Sequence, residues 1–249
     1  MALKKKDLIF GIRTVIEAIK AGKDFDKIQV QRGTQSTLLK ELLAIAKTTG
    51  IPVQFLPPEK FRVYSYKNHQ GVIAVLSPVT YQKIENILPD IYEKGEDPFI
   101  LILDEVSDVR NFGAISRTAE CAGIHAIVIP DKGSAAINSD AIKASAGALY
   151  QIPVCRVHNI LSAIDLMKES GLQIVAASEK SDKNYTEAKF TGPLAIVMGS
   201  EEKGVSYKIL KLCDETVKIP ILGSIESLNV SVATGILLYE AVKQKKTEN

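Results

Sequence analysis

A chain of 249 residues, 46% of them apolar, is long enough for one large or two modest cores and excludes a disordered or low-complexity protein. The formal net charge of +2 is far from that of a histone-like binder, so any contact with nucleic acid has to come from a local basic face. No apolar run is long enough to span a bilayer, and the basic start from Met1 to Asp7 has no signal-like apolar core behind it before Arg13 and Glu17. The expected setting is therefore the cytoplasm.

Cys121, Cys155 and Cys213 are widely spaced, no CxxC occurs, and His69, His125 and His158 are equally scattered. That pattern supports neither a disulfide framework nor a zinc site. Each cysteine has apolar neighbours and is predicted to be a small buried hydrophobe in a reducing compartment.

The first eighty residues predict a small α/β unit. Ile12, Val15, Ile16 and Ile19 fall at helical spacing, and Lys27 to Gln31 alternates like a half-buried strand. Leu38, Leu39, Leu42, Leu43 and Ala46 mark a second helix. Short strands follow at Ile51 to Phe55 and Val72 to Leu76. Pro78, Pro89, Gly95 and Pro98 then punctuate a stretch of mixed charge, which predicts a linker with one short helix over 80–97. The expected domains are 1–79 and 98–249.

Beyond the linker, continuous apolar runs at 99–103, 125–129, 173–177 and 194–198 alternate with helical patterns at 114–122, 141–149, 160–169 and 228–243. Such strands interleaved with helices predict a parallel sheet covered on both faces. Ligands of these sheets bind beyond the carboxyl ends of the strands, which directs attention to the loops after Leu103, Met198 and Ile219.

The first of these loops gathers acids, Asn111, Gly113 and Arg117 at a strand-to-helix turn. Asn111 can cap the helix and Gly113 can admit a ligand close to the backbone. The plainer alternative makes Asn111 only a cap and pairs Arg117 with Asp104 or Asp108. The second loop, Gly199 to Gly204, has the GxxxxG spacing of a phosphate loop, but Val205-Ser206 stands where Lys followed by Ser or Thr is required. A nucleotide hydrolase is thereby disfavoured, and the loop retains Glu201 as its chemically useful group. The third, Ile219 to Thr234, sets Ser227, Asn229 and Ser231 in an otherwise apolar stretch that enters the last helix. They are ordinary capping residues or polar groups aimed at a ligand.

Taken in order, Asn111-x-Gly113-x-x-x-Arg117, Gly199-x-Glu201 and Ser227-Leu228-Asn229-Val230-Ser231-Val232-Ala233 resemble the signature motifs of the SpoU family of RNA ribose 2′-O-methyltransferases, within the SPOUT class. Ala122 to Ala126 and Ser145 to Ala148 agree as well. The amino-terminal unit, with Phe10-Gly11 and His69-Gln70-Gly71-Val72, is similar to the ribosomal-protein-like substrate-binding domain of many members. That arrangement is closest to the members that methylate a guanosine of 23S ribosomal RNA. One departure is Val109, where the family usually carries proline two residues before the motif asparagine.

The resemblance implies a parallel α/β sheet whose carboxyl-terminal segment threads a trefoil knot, S-adenosylmethionine as cofactor, RNA as partner and a homodimer. It also implies Arg117, Asn111, Glu201, Ser227 and Asn229 as catalytic residues. Met198, Gly199, Ile219, Pro220, Leu228 and Asn229 would hold the cofactor. A guanidinium has a pKa above about 12 and stays protonated, so Arg117 is expected to anchor a phosphate rather than act as base. Lys4, Lys5, Lys6, Arg13, Lys20, Lys23, Lys27 and Arg32 are candidates for an RNA-facing set, and Tyr64 and Tyr66 either stack on bases or pack in the small core. The alternatives are a transfer-RNA methyltransferase of the same family and an RNA-binding assembly factor without catalysis.

Overall fold

The computed structural model describes residues 8–248, so Lys4, Lys5 and Lys6 lie outside the described residues. The chain forms two compact units, divided in sequence between Thr80 and Tyr81.

In the first unit, β1 (Leu8–Phe10), β2 (Phe25–Gln31), β3 (Val53–Leu56) and β4 (Val72–Leu76) form a sheet in the order β1-β4-β2-β3. β4 runs antiparallel to both β1 and β2, and β3 is parallel to β2. α1 (Ile12–Lys20) and α2 (Thr37–Thr48) turn Val15, Ile16, Leu42 and Ala46 onto Ile28, Val30, Val72 and Ala74. Successive strand residues face opposite sides, so Ile73 and Val75 of β4 join Leu8 in a second small core on the other face. That core is closed by Phe61 of a 3-10 helix over Pro58–Tyr64. β1, only three residues long, was not predicted from the sequence. Of the expected basic set, Lys20 pairs with Glu17 and Glu41, and Lys27 pairs with Asp26.

The second unit has a seven-stranded sheet in the order β11-β9-β10-β6-β7-β8-β5, every pairing parallel. Its strands are β5 (Tyr81–Gln82), β6 (Phe99–Leu103), β7 (Ala126–Pro130), β8 (Val154–Val157), β9 (Gln173–Ala177), β10 (Leu194–Met198) and β11 (Glu215–Val217). β6 and β10 are buried throughout. They run in register from Phe99 opposite Leu194 to Leu103 opposite Met198, so both end at the same level.

The expected linker is part of this unit. β5 pairs with β8, and α3 (Ile84–Glu93) buries Ile84, Ile87, Leu88 and Ile91 in one core with Ile100, Ile102, Val128 and Met167. Burying such side chains contributes roughly 1.5–3 kcal/mol each, which outweighs the loop-like signal of the prolines and lysines around them.

Two further differences are found. α4 (Val109–Cys121) starts five residues before the expected helix, because the Asp108 carboxylate accepts from the N–H groups of Arg110 and Asn111 and caps it there. Asn111 is therefore inside the first turn and is not the cap. Cys121 is exposed at the solvent-facing end of α4, whereas Cys155 is buried and Cys213 half-buried. α8 (Val230–Glu248) packs on α4, with Gly235 facing Thr118. Among the described residues no helix is long and apolar enough to cross a membrane.

At the sheet edge, Asp214 holds β11 in place. Its carboxylate accepts from the Ile174 N–H at 2.8 Å and pairs with Lys168 at 2.7 Å. Burial alone would push this carboxyl up, but the hydrogen bonds from Lys168 and Ile174 prevail and hold it below its ordinary range. The chain leaving β11 is thereby fixed in position before it enters the loop that leads to α8.

Candidate active site

Register brings the first two loops together. Because β6 and β10 end side by side, Asp104 and Gly199 leave the sheet as neighbours, and the Asp104 N–H donates to the Met198 carbonyl at 2.8 Å. The nearly buried Asp104 carboxylate then accepts the Ser206 N–H at 2.8 Å, tying the loop after β10 to the end of β6. Gly199 is required sterically. A Cβ there would lie 2.0 Å from the Gly204 carbonyl carbon and 2.1 Å from the Val205 nitrogen, where the loop folds back on itself.

The third segment closes the site. Asn229 precedes α8 and caps it, its side-chain oxygen accepting from the Ser231 N–H at 2.9 Å. Its Nδ2 donates to Asn111 Oδ1 at 3.0 Å and to Glu201 Oε1 at 2.7 Å. The Val230 N–H also donates to Glu201 Oε1, at 3.3 Å. A carboxylate at the start of a nineteen-residue helix is favoured by the helix dipole as well as by these bonds. Asn111, Glu201 and Asn229, taken from three loops, thus form one connected polar set.

This set borders a cleft of about 400 Å³ whose lining includes Glu105, Asp108, Asn111, Glu201, Glu202 and Lys203. Four carboxylates face one ammonium, and Lys203 pairs with Glu105 at 3.5 Å across the cleft. The electrostatic preference is for a cationic guest.

Other predicted residues lie elsewhere. Arg117 is six positions beyond Asn111, about 9 Å along α4 and well round its circumference. It is exposed and pairs with neither Asp104 nor Asp108, whose carboxylates are engaged by backbone N–H groups. Gly113 does not face a ligand. A Cβ on it would stand 2.4 Å from that of Ala144, so this glycine lets α4 pack against α5 (Ser139–Ala144). Met198 is buried in β10, and Ser227 and Leu228 are exposed in the loop before α8. Asp104, Glu105 and Asp108 were passed over as site residues, although acids directly after a buried strand were a usable signal.

The family model described as the SpoU rRNA methylase family matches residues 98–239, and that for RNA 2′-O ribose methyltransferase substrate binding matches residues 8–82. The chain belongs to the SpoU rRNA methylase family. This SpoU chain is 37% identical over 241 residues to the 23S rRNA (guanosine-2′-O-)-methyltransferase RlmB of Escherichia coli K12, covering 96% of this chain and 99% of that one. It is 35% identical over 242 residues to YacO of Bacillus subtilis (strain 168), named a TrmH family tRNA/rRNA methyltransferase, covering 97% of both. Its fold is similar to that of the SpoU methyltransferase AviRb from Streptomyces viridochromogenes in complex with AdoMet. The TM-score is 0.60 at 25% identity, over 97% of this chain and 91% of that one.

Proposed function

We propose that this SpoU chain transfers the methyl group of S-adenosylmethionine to a ribose 2′-hydroxyl of RNA, and that the acceptor is a guanosine of 23S ribosomal RNA. The observation that carries the reading is the hydrogen-bonded set of Asn111, Asn229 and Glu201, which joins all three motif segments at one end of the sheet. The near-full-length likeness to RlmB supports the ribosomal substrate, which suits the cytoplasmic setting expected from the sequence.

The site suits the cofactor on two counts. The acidic cleft matches a sulfonium, which carries positive charge, and would repel an RNA phosphate. The loop 219–228 offers backbone groups with no hydrogen bond among the described residues, beside the exposed side chains of Ile221, Leu222, Ile225 and Leu228. An adenine ring needs that combination of backbone donors and apolar cover. Met198, Gly199, Ile219, Pro220, Leu228 and Asn229 would hold the cofactor, largely through the backbone.

When bound, S-adenosylmethionine supplies an electrophilic methyl carbon. The chain's own task is to align the 2′-oxygen and to handle its proton. Asn111, Ser227 and Asn229 orient the ribose. Glu201 Oε1 is engaged by Asn229 and Val230, which leaves Oε2 or a water to receive the proton. Arg117, permanently charged, exposed and without a protein partner among the described residues, anchors a phosphate of the RNA outside the cleft.

A trefoil knot belongs to this reading. The chain leaves β11 at the sheet edge and enters α8 beside Asn111, a return across the carboxyl ends of β9 and β10 that supports such a crossing. A homodimer belongs to it as well. Val232 and Tyr239, seven residues apart on one face of α8, are half exposed although α8 carries apolar residues all round.

The test follows label from S-adenosylmethionine into separated 23S and transfer RNA and maps the 2′-O-methylated nucleotide. Label at one 23S guanosine, lost in Arg117→Ala, is the expected result. An Arg117→Lys enzyme with normal turnover would remove the need for a bidentate guanidinium. The name of the Bacillus relative gives transfer RNA beside ribosomal RNA, which makes transfer RNA the second reading, and label confined to that fraction would establish it. Absence of both label and cofactor binding would leave an RNA-binding assembly factor.

A further inference from the structure

Residues three apart in a 3-10 helix eclipse one another, and the segment Pro58–Tyr64 sorts its side chains accordingly. Phe61 is buried against Leu8, Ile73 and Val75, and Tyr64 packs on the same core with its ring 5.7 Å from that of Phe10. Val63, in the offset row, is turned outward and 72% exposed, and Tyr66, in the turn that follows the helix, is 56% exposed. Lys60, Arg62 and Lys67 are exposed beside it, and no carboxylate pairs with any of the three among the described residues. Glu59 is the one acid from Pro57 to His69. Lys67 Nζ lies 5.8 Å from the centre of the Tyr66 ring.

The segment is fixed at its far end. Gln70 Oε1 accepts the Ile12 N–H at 3.2 Å, and His69 Nδ1 accepts the Gly71 N–H at 2.9 Å while its ring packs 5.3 Å from Phe61. Such a face is ordered before it binds, so little conformational entropy is lost on docking.

We propose that this face of the first unit is a docking surface for single-stranded RNA, with Tyr66 stacking on a base and Lys60, Arg62 and Lys67 holding successive phosphates. An exposed ring with cations near it in the chain that no carboxylate neutralises suits unpaired nucleotides, which offer both a base face and a charged backbone. A duplex hides the base faces and offers only the phosphates. The inference rests on the RNA-modifying reading given above and names where that substrate is gripped outside the methyl-transfer site.

The test uses the full chain with a fluorescent twelve-nucleotide oligo(A) and a twelve-base-pair RNA duplex, followed by anisotropy across a salt series. Tyr66→Ala is expected to weaken oligo(A) binding about tenfold and leave duplex binding unchanged, while Tyr66→Phe restores it. Replacing Lys60, Arg62 and Lys67 together by alanine is expected to flatten the log–log salt slope by about two. Tyr66 and the three cations are exposed, and matched thermal melts would show that the variants fold. Wild-type affinity for both RNAs in Tyr66→Ala and in the triple variant would overturn the surface, as would equal loss on duplex and single strand in Tyr66→Ala. Cofactor binding and methyl transfer by the same proteins separate the two readings. An unsubstituted chain that takes up no S-adenosylmethionine counts against the enzyme, whereas normal uptake and an unchanged RNA KM in the variants counts against the surface alone.

Discussion

Asn229 donates a hydrogen bond to Asn111 across 118 residues of sequence, joining the end of one loop to the first turn of α4. Its other amide hydrogen goes to Glu201, so one side chain holds all three motif segments together. Asn229→Ala is expected to lower methyl-transfer kcat/KM by roughly 10- to 100-fold, because a hydrogen bond to a charged group contributes about 1.5–3 kcal/mol. Asn111→Ala should cost less. The double variant should fall short of the product of the two, since the residues share one bond. Asn229→Asp should be worse than alanine, because it sets a second carboxylate against Glu201. Full turnover in Asn229→Ala would remove this residue from the site.

Two glycines in the α4, α5 and α8 layer predict opposite effects of the same change. Gly113→Ala forces a Cβ to within 2.4 Å of Ala144 and 2.9 Å of the Ala141 carbonyl. It should destabilise the fold by about 1–3 kcal/mol. At Gly235 the new Cβ meets Thr118 at 3.6 Å, an ordinary contact, and removal of a helical glycine should stabilise by up to about 1 kcal/mol. Thermal or denaturant unfolding of the two variants checks both signs.

Val109 occupies the first position of α4, where a backbone N–H has no helical acceptor to lose. The preceding residue, Asp108, already has the extended backbone that a following proline requires, at φ −73° and ψ 123°, and its carboxylate is spent on Arg110 and Asn111. Val109→Pro is expected to leave activity unchanged and to raise stability by a few tenths to about 1 kcal/mol. A marked loss in either would show that Val109 does something this geometry does not reveal.

The three thiols should separate by reactivity. Burial, with Glu85 adding to it, pushes the Cys155 thiol up to about 12. Burial, with Asp214 nearby, does the same to Cys213. An acid with a raised pKa stays neutral below it, so neither thiol supplies appreciable thiolate at pH 8. Iodoacetamide at that pH should therefore add once to the folded protein, at Cys121, and three times after denaturation. Intact-mass measurement distinguishes these outcomes.

Much of the fold was legible locally. Runs such as Phe99 to Leu103 and Leu194 to Met198 are apolar at every position, which only a doubly covered parallel strand requires. The helical spacing of Ile12, Val15 and Ile16 read equally well, since burial on one face leaves a 3.6-residue period. β1 and β5 have three residues or fewer and are held by pairing with distant strands, so no local period announces them. The segment 80–97 misled because prolines and lysines lie on the outer side of elements whose inner side is apolar.

By itself the sequence determined the residue types of the site and their order, because strands and glycine-bounded loops are encoded by neighbours in the chain. Only the tertiary structure decided which of those residues meet. The shared register of β6 and β10 brings Glu201 beside the first loop, and the return of the chain from β11 to α8 brings Asn229 to Asn111. Arg117 and Gly113, equally prominent in the motif, are sent by helical geometry to an exposed face and a helix contact. Hydrogen bonds act over about 3 Å whatever the distance along the chain, so a spacing of 118 residues carries no sign of a contact until the sheet has formed.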